Sequence, residues 1–98
     1  MTDNGGFTPL HEACGGGHTA VVRLLLWKGA NPNVKAKDQD GWTPLHFAVL
    51  KGSTDVVETL LAKGADANVK GNDGQTPGDM AQRLGRRNII EVLLNRHK

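Results

Sequence analysis

The chain has few side chains able to do chemistry. Histidines stand at 11, 18, 46 and 97, with one cysteine at 14 and a glycine run at 15–17. The imidazoles raise the question of a metal, but neither His18 nor His97 has a second ligand at metal-binding spacing. No serine, lysine or carboxylate sits in a nucleophile or paired-acid motif. Gly15-Gly16-Gly17 lacks the lysine and hydroxyl that complete a phosphate-binding loop. The expectation is therefore no catalytic residue, no metal, no cofactor and no small-molecule substrate. The informative feature is where His11 and His46 stand relative to the helices around them.

That setting is clearest from Gly41 to Asn68. Thr43 is a good N-cap, and Pro44 follows at the first helical position, where its missing N–H costs nothing. Leu45, Ala48 and Val49 share one face of the short helix that follows, and Gly52 ends it in a left-handed cap. A second helix begins at Ser53 to Asp55, where Asp55 and Glu58 suit its positive end, and Gly64 closes it. Val56/Val57 and Leu60/Leu61 form an apolar stripe wide enough for two neighbours. Such an antiparallel helix pair cannot bury its own apolar surface.

The unit recurs on both sides. Thr8-Pro9-Leu10-His11 precedes Thr43-Pro44-Leu45-His46 by 35 positions, and Thr76-Pro77 follows by 33. Val21/Val22, Val56/Val57 and Ile89/Ile90 keep these offsets, as do Leu25/Leu26, Leu60/Leu61 and Leu93/Leu94. Gly29-Ala30-Asn31-Pro32-Asn33 matches Gly64-Ala65-Asp66-Ala67-Asn68. With these motifs the chain resembles the ankyrin-repeat family from about Asp3 to its end. The resemblance implies an all-α solenoid of three stacked helix-turn-helix pairs with β-hairpin-like connecting fingers. The expected repeats run over about 3–37, 38–70 and 71–98, in one domain. It also implies that His11 and His46 bond the preceding threonine hydroxyl and nearby backbone, locking turn to helix.

Composition is compatible with this. The 98 residues suffice for three repeats, about the minimum that stacks into a stable core, and the small buried area predicts limited stability. A formal charge of +2 does not demand a polyanionic partner. Met1-Thr2-Asp3-Asn4 lacks the basic start and apolar run of a secretory signal, and no apolar run approaches a membrane span. A single cysteine cannot form an internal disulfide, which fits a reducing compartment and an intracellular (cytoplasmic or nuclear) location. Cys14 aligns with Val49 and reads as a small core residue.

The end repeats depart from the middle one. Gly15-Gly16-Gly17 replaces Leu50-Lys51-Gly52, so the first helix, about Pro9 to Gly15, should end early or fray. Glu12 stands where Phe47 stands in the next repeat, as suits an end facing water. Thr19 is expected to cap a helix from Ala20 to Lys28. The first connection, running from Pro32 to Gly41, is two residues longer than the second when counted from the aligned Asn33 and Asn68 to Gly41 and Gly74; this reads as a tolerated insertion. In the third repeat Gly78-Asp79 replaces Leu-His, and Gln82-Arg83 replaces Val49-Leu50. Together with Asn88, Glu91 and Asn95 these suggest a terminal cap. The N-terminal side is capped more weakly, leaving apolar surface near Leu10, Val21 and Leu24. A lost upstream repeat, self-association and a longer parent all remain open there; otherwise a monomer is expected.

Binding is the remaining function. The resemblance places recognition on the finger tips and first helices, which line a concave face. Here that means Gln39, Asp40, Trp42, Leu50 and Lys51 in the middle repeat, Phe7 with Asn4 and Gly5 in the first, and Asn72, Asp73, Gln75, Arg83 and Leu84 in the third. Trp42 is the expected anchor, an exposed aromatic on a rigid groove; the alternative is packing against neighbouring fingers and Phe7. Trp27, aligned with Ala62 and Asn95, is expected to cover the convex side of the first repeat. Arg83, Arg86, Arg87, Arg96 and Lys98 face only Glu91 in the tail, and read as a solvated cap without the interleaved aromatics of a nucleic-acid binder. Two other readings are an engineered or excised repeat array with no natural ligand, and weak binding of nucleic acid or an acidic partner by the basic tail.

Overall fold

A computed structural model describes residues 6–37 and 41–95, the Asn95 side chain excepted. Expectations for Asn4, Gly5, Gln39, Asp40, Arg96, His97 and Lys98 fall outside these residues. Six helices form three pairs: α1 (Pro9–Gly15) with α2 (Thr19–Trp27), α3 (Pro44–Lys51) with α4 (Thr54–Ala62), and α5 (Pro77–Leu84) with α6 (Arg87–Asn95). The inner helices α1, α3 and α5 pack side by side in one row, and α2, α4 and α6 in a second. No strand occurs among the described residues. The base of each finger is bridged by a backbone bond, Ala36 N–H to the Trp42 carbonyl and Gly71 N–H to the Gln75 carbonyl, both 2.8 Å.

Each inner helix starts at a Thr-Pro step, with the threonine in extended backbone and proline in the first turn. α3 and α5 end on Gly52 and Gly85, at φ 84° and 70°. α1 stops at Gly15, a residue earlier in register than α3, and Gly17 takes the left-handed conformation at φ 70°. Only the third glycine of the run is therefore required by the backbone. Thr19 is the first residue of α2 and not its cap; His18 holds that place and makes no side-chain capping bond. Without a competing cap further along, the helix begins one residue early and ends at Trp27.

The apolar stripes interlock across pairs. Leu10, Cys14, Val22, Leu45, Val49, Val56, Val57, Leu60, Met80 and Ile89 are all buried. Each large aliphatic chain so removed from water contributes roughly 1.5–3 kcal/mol. Leu10, expected near exposed surface, is 2% exposed and belongs to the core cluster. Val21 and Leu24, also expected there, are 48% and 53% exposed.

The glycines around α1 and α3 separate two effects. A Cβ on Gly15 would meet Phe47 Cδ1 at 3.6 Å, an ordinary contact, and its backbone is right-handed. One on Gly52 would meet the Arg86 guanidinium at 3.2 Å from a backbone at φ +84°. Gly15→Ala should raise stability by about 0.5–1 kcal/mol, and Gly52→Ala should lower it by about 1 kcal/mol or more. Urea denaturation midpoints for the two variants and the parent check both signs.

Candidate functional site

The Thr-Pro-Leu-His runs build a hydrogen-bonded ladder between pairs. The Thr8 amide donates to His11 Nδ1 at 3.0 Å, and the Thr8 hydroxyl lies 3.0 Å from the same nitrogen. Thr43 and His46 repeat this at 3.1 and 2.9 Å. An amide N–H can only donate, so each Nδ1 must carry its lone pair and the ring proton sits on Nε2. There it reaches the next pair. His11 Nε2 donates toward the carbonyls of Val34 and Trp42 at 2.9 and 3.0 Å, and His46 Nε2 donates to that of Gln75 at 2.9 Å. Trp42 and Gln75 each precede a Thr-Pro step, so each histidine fixes the helix start that follows its own. Asp79 replaces the histidine in the third pair: its Oδ2 accepts from the Thr76 amide at 3.1 Å, but a carboxylate has no proton to pass onward.

Above this ladder lies an aromatic cluster. Trp42 stacks on His46 with centroids 6.0 Å apart and planes 10° apart. The Phe47 ring meets Trp42 edge-on at 5.3 Å and Phe7 at 5.5 Å. Trp42 is half-buried against the core instead of standing clear of it, and among the described residues its Nε1 is buried without a hydrogen-bond partner. Such an orphan donor costs about 1–3 kcal/mol. Trp42 and Phe7 do come together, but through Phe47, which occupies the space between them.

The other expected contact residues lie at several levels. Leu50 is 43% exposed, and Lys51, Asn72, Asp73 and Arg83 are exposed. Gln75 is half-buried and accepts from Arg83 Nη2 at 3.2 Å, and Asp73 spends one oxygen on the Gln75 amide at 3.0 Å. Asn72 packs over Gly41, where a Cβ would overlap its amide.

Several features were not anticipated from the sequence. Arg86 is no free tail cation; it donates to the carbonyls of Val49 and Leu50 at 3.3 and 2.8 Å, capping α3 from the next pair. Trp27 does not cover the convex side. It is 76% exposed, with Lys28 Nζ 5.9 Å from the ring centroid. It lines an open apolar groove of about 490 Å³ between α2 and α4, together with Arg23, Leu24, Thr59, Ala62 and Lys63. The available signal was a tryptophan at a register position otherwise held by Ala62 and Asn95. Among the described residues no group of three potential ligands could hold a metal, and no helix is long and apolar enough to cross a membrane.

Residues 33–98 match the family described as Ankyrin repeats (3 copies), and residues 5–37 match Ankyrin repeat. The chain belongs to the ankyrin-repeat family. Similar proteins include human BCL-6 corepressor-like protein 1, 53% identical over 36 residues, which are 37% of this chain and 2% of that protein. Human Scaffold protein ILK is 47% identical over 38 residues, 39% of this chain and 8% of that protein. The chain thus spans only a small fraction of the relatives it matches. Helical repeat architecture and membership of an interaction fold follow from the ankyrin assignment.

Two titratable groups are set by this ankyrin core. Burial holds the His46 imidazole below its usual 6.5; the Gln75 carbonyl and Asp73 pull it back up, while Lys35 pushes it further down. The unfolded chain therefore takes up the proton first as pH falls. Stability from neutral His46 is full above about 6.5 and is lost as pH falls through the lower folded value. Urea denaturation at pH 7.5 and 5.5 should show this loss, and His46→Ala should reduce stability by about 2–4 kcal/mol while making the pH dependence shallower. Burial also pushes the Cys14 thiol up to about 12. Iodoacetamide at neutral pH should label the folded protein at least ~100-fold more slowly than the urea-unfolded chain, as reaction waits on opening.

Proposed function

We propose that this chain is a non-catalytic module that binds a partner protein across its finger tips and inner helices. The observation that carries this reading is the fixed setting of Trp42. His46 stacks on one face of the indole, Phe47 meets its edge, and its carbonyl accepts from both Ala36 N–H and His11 Nε2. A half-exposed aromatic held this way loses little conformational entropy when a ligand covers it. Leu50 adds apolar surface, and Lys51, Asn72, Asp73 and Arg83 add a polar rim. Gln39 and Asp40 belong to the same proposed surface by their sequence position. The relatives bear names of a corepressor-like and a scaffold protein, which agree with a role in assembly. The partner on this reading is a protein, with neither a small-molecule substrate nor nucleic acid required.

A second face has an observation of its own in the Trp27 groove on the outer helices. One affinity-capture experiment separates the two. Partners recovered by the parent chain should be lost with Leu50→Asp and weakened at least ~10-fold with Trp42→Ala, while Trp27→Ala leaves recovery unchanged. Loss with Trp27→Ala alone would move the site to the outer groove, and unchanged recovery with both Leu50→Asp and Trp42→Ala would remove the inner face from the account.

A further inference from the structure

The burial pattern sets the two ends of the stack apart from its interior. Val21, Val56 and Ile89 occupy one register position; Val56 and Ile89 are 0% and 1% exposed, whereas Val21 is 48% exposed. That position therefore faces the preceding pair, and Val21 has none described. Leu26, Leu61 and Leu94 occupy a position that faces the following pair: Leu26 is 8% exposed and Leu61 half-buried, while Leu94 at the far end is 66% exposed. The inner row behaves alike. Phe47 lies against Gly15 of the preceding helix, with Cδ1 3.6 Å from where a Cβ would stand. Glu12 holds the Phe47 position in α1, and Arg83 holds the Gly15 position in α5.

We propose that a second copy of this chain docks head to tail, its α5–α6 end seated on the exposed α1–α2 end of the first. Continuing the internal stacking by one step brings Ile90 and Leu94 of one copy onto Val21 and Leu25 of the next. The same step sets Arg83 opposite Glu12, an opposite-charge pair at a site where the internal interfaces carry apolar contacts. Glu12 forms no ion pair among the described residues, and Arg83 spends one of its five donors on Gln75. At the receiving end a cleft of about 250 Å³ is lined by Pro9, Leu10, Leu25, Ala30 and Val34, with Thr8 and Asn31 at its margin. Exposed Pro9 and half-buried Leu25 and Ala30 correspond to Pro44, Leu60 and Ala65, which are buried in the second pair; Leu10, like Leu45, is buried in both. Gln82, in place of the buried Cys14 and Val49, keeps the contact weak and reversible. Because the two surfaces differ, the contact is heterologous, and repeating it in the stacking direction adds copies head to tail.

Sedimentation equilibrium of the full chain tests this. The weight-average mass should rise between about 10 µM and about 1 mM protein, the range expected of a weak apolar contact. Val21→Glu and Leu94→Glu, each in exposed positions, should each stay monomeric, with helical circular dichroism confirming that they fold. Their equimolar mixture should stop at a dimer, since only one intact head and one intact tail remain. Glu12→Arg should weaken association and the Glu12→Arg/Arg83→Glu double variant should restore it. A parent chain that stays monomeric at the highest concentration overturns the proposal and leaves the face to a further repeat. Growth unaffected by either glutamate, or a mixture that remains monomeric or passes beyond a dimer, overturns it as well.

Discussion

A neutral imidazole with its proton on Nε2 is the part on which the rest depends. In a single ring it satisfies the threonine amide that opens its own helix and donates to the carbonyl that opens the next. Protonated at both nitrogens, it could serve only the second of these. The burial that disfavours the charged form is supplied by the same stacking that the histidine organises. Local capping and long-range packing are thus one structure, and neither forms fully without the other.

This coupling explains why the candidate binding surface lies where it does. Trp42 is not simply exposed on a loop; its backbone carbonyl is an acceptor in the ladder and its ring rests on His46. A residue on the finger is thereby tied to the helix pairs through both its backbone and its ring. The third pair receives the ladder without extending it. Asp79 caps α5 locally, and Arg86 returns a contact to the end of α3. The second and third pairs are thus joined at both ends of their inner helices.

The helices were legible because their signals are local. Thr-Pro marks three starts, glycine at positive φ marks the stops of α3 and α5, and the doubled aliphatics set the packing faces. The role of His11 and His46 followed from a family resemblance resting on the same motif. What escaped was whatever depends on atoms far along the chain. Arg86 finds its acceptors 36 and 37 positions back, in carbonyls that carry no side-chain signature. Trp42 escaped for a different reason: its ring partners His46 and Phe47 stand only four and five positions on, but spacing alone does not say that the indole turns against them. Trp27 looked like a cover because its register neighbours are small, yet Ala62 and Thr59 leave a furrow beside it.

The two tryptophans end up in opposite surroundings, one with its indole nitrogen sealed against the core and the other largely in water. They form a natural pair of optical reporters. The indole at 42 should emit toward the blue and resist collisional quenching by iodide, while that at 27 emits toward the red and is quenched freely. As the stack loosens, only the blue component has far to move, so the width of the combined emission band narrows in step with loss of the inner seam.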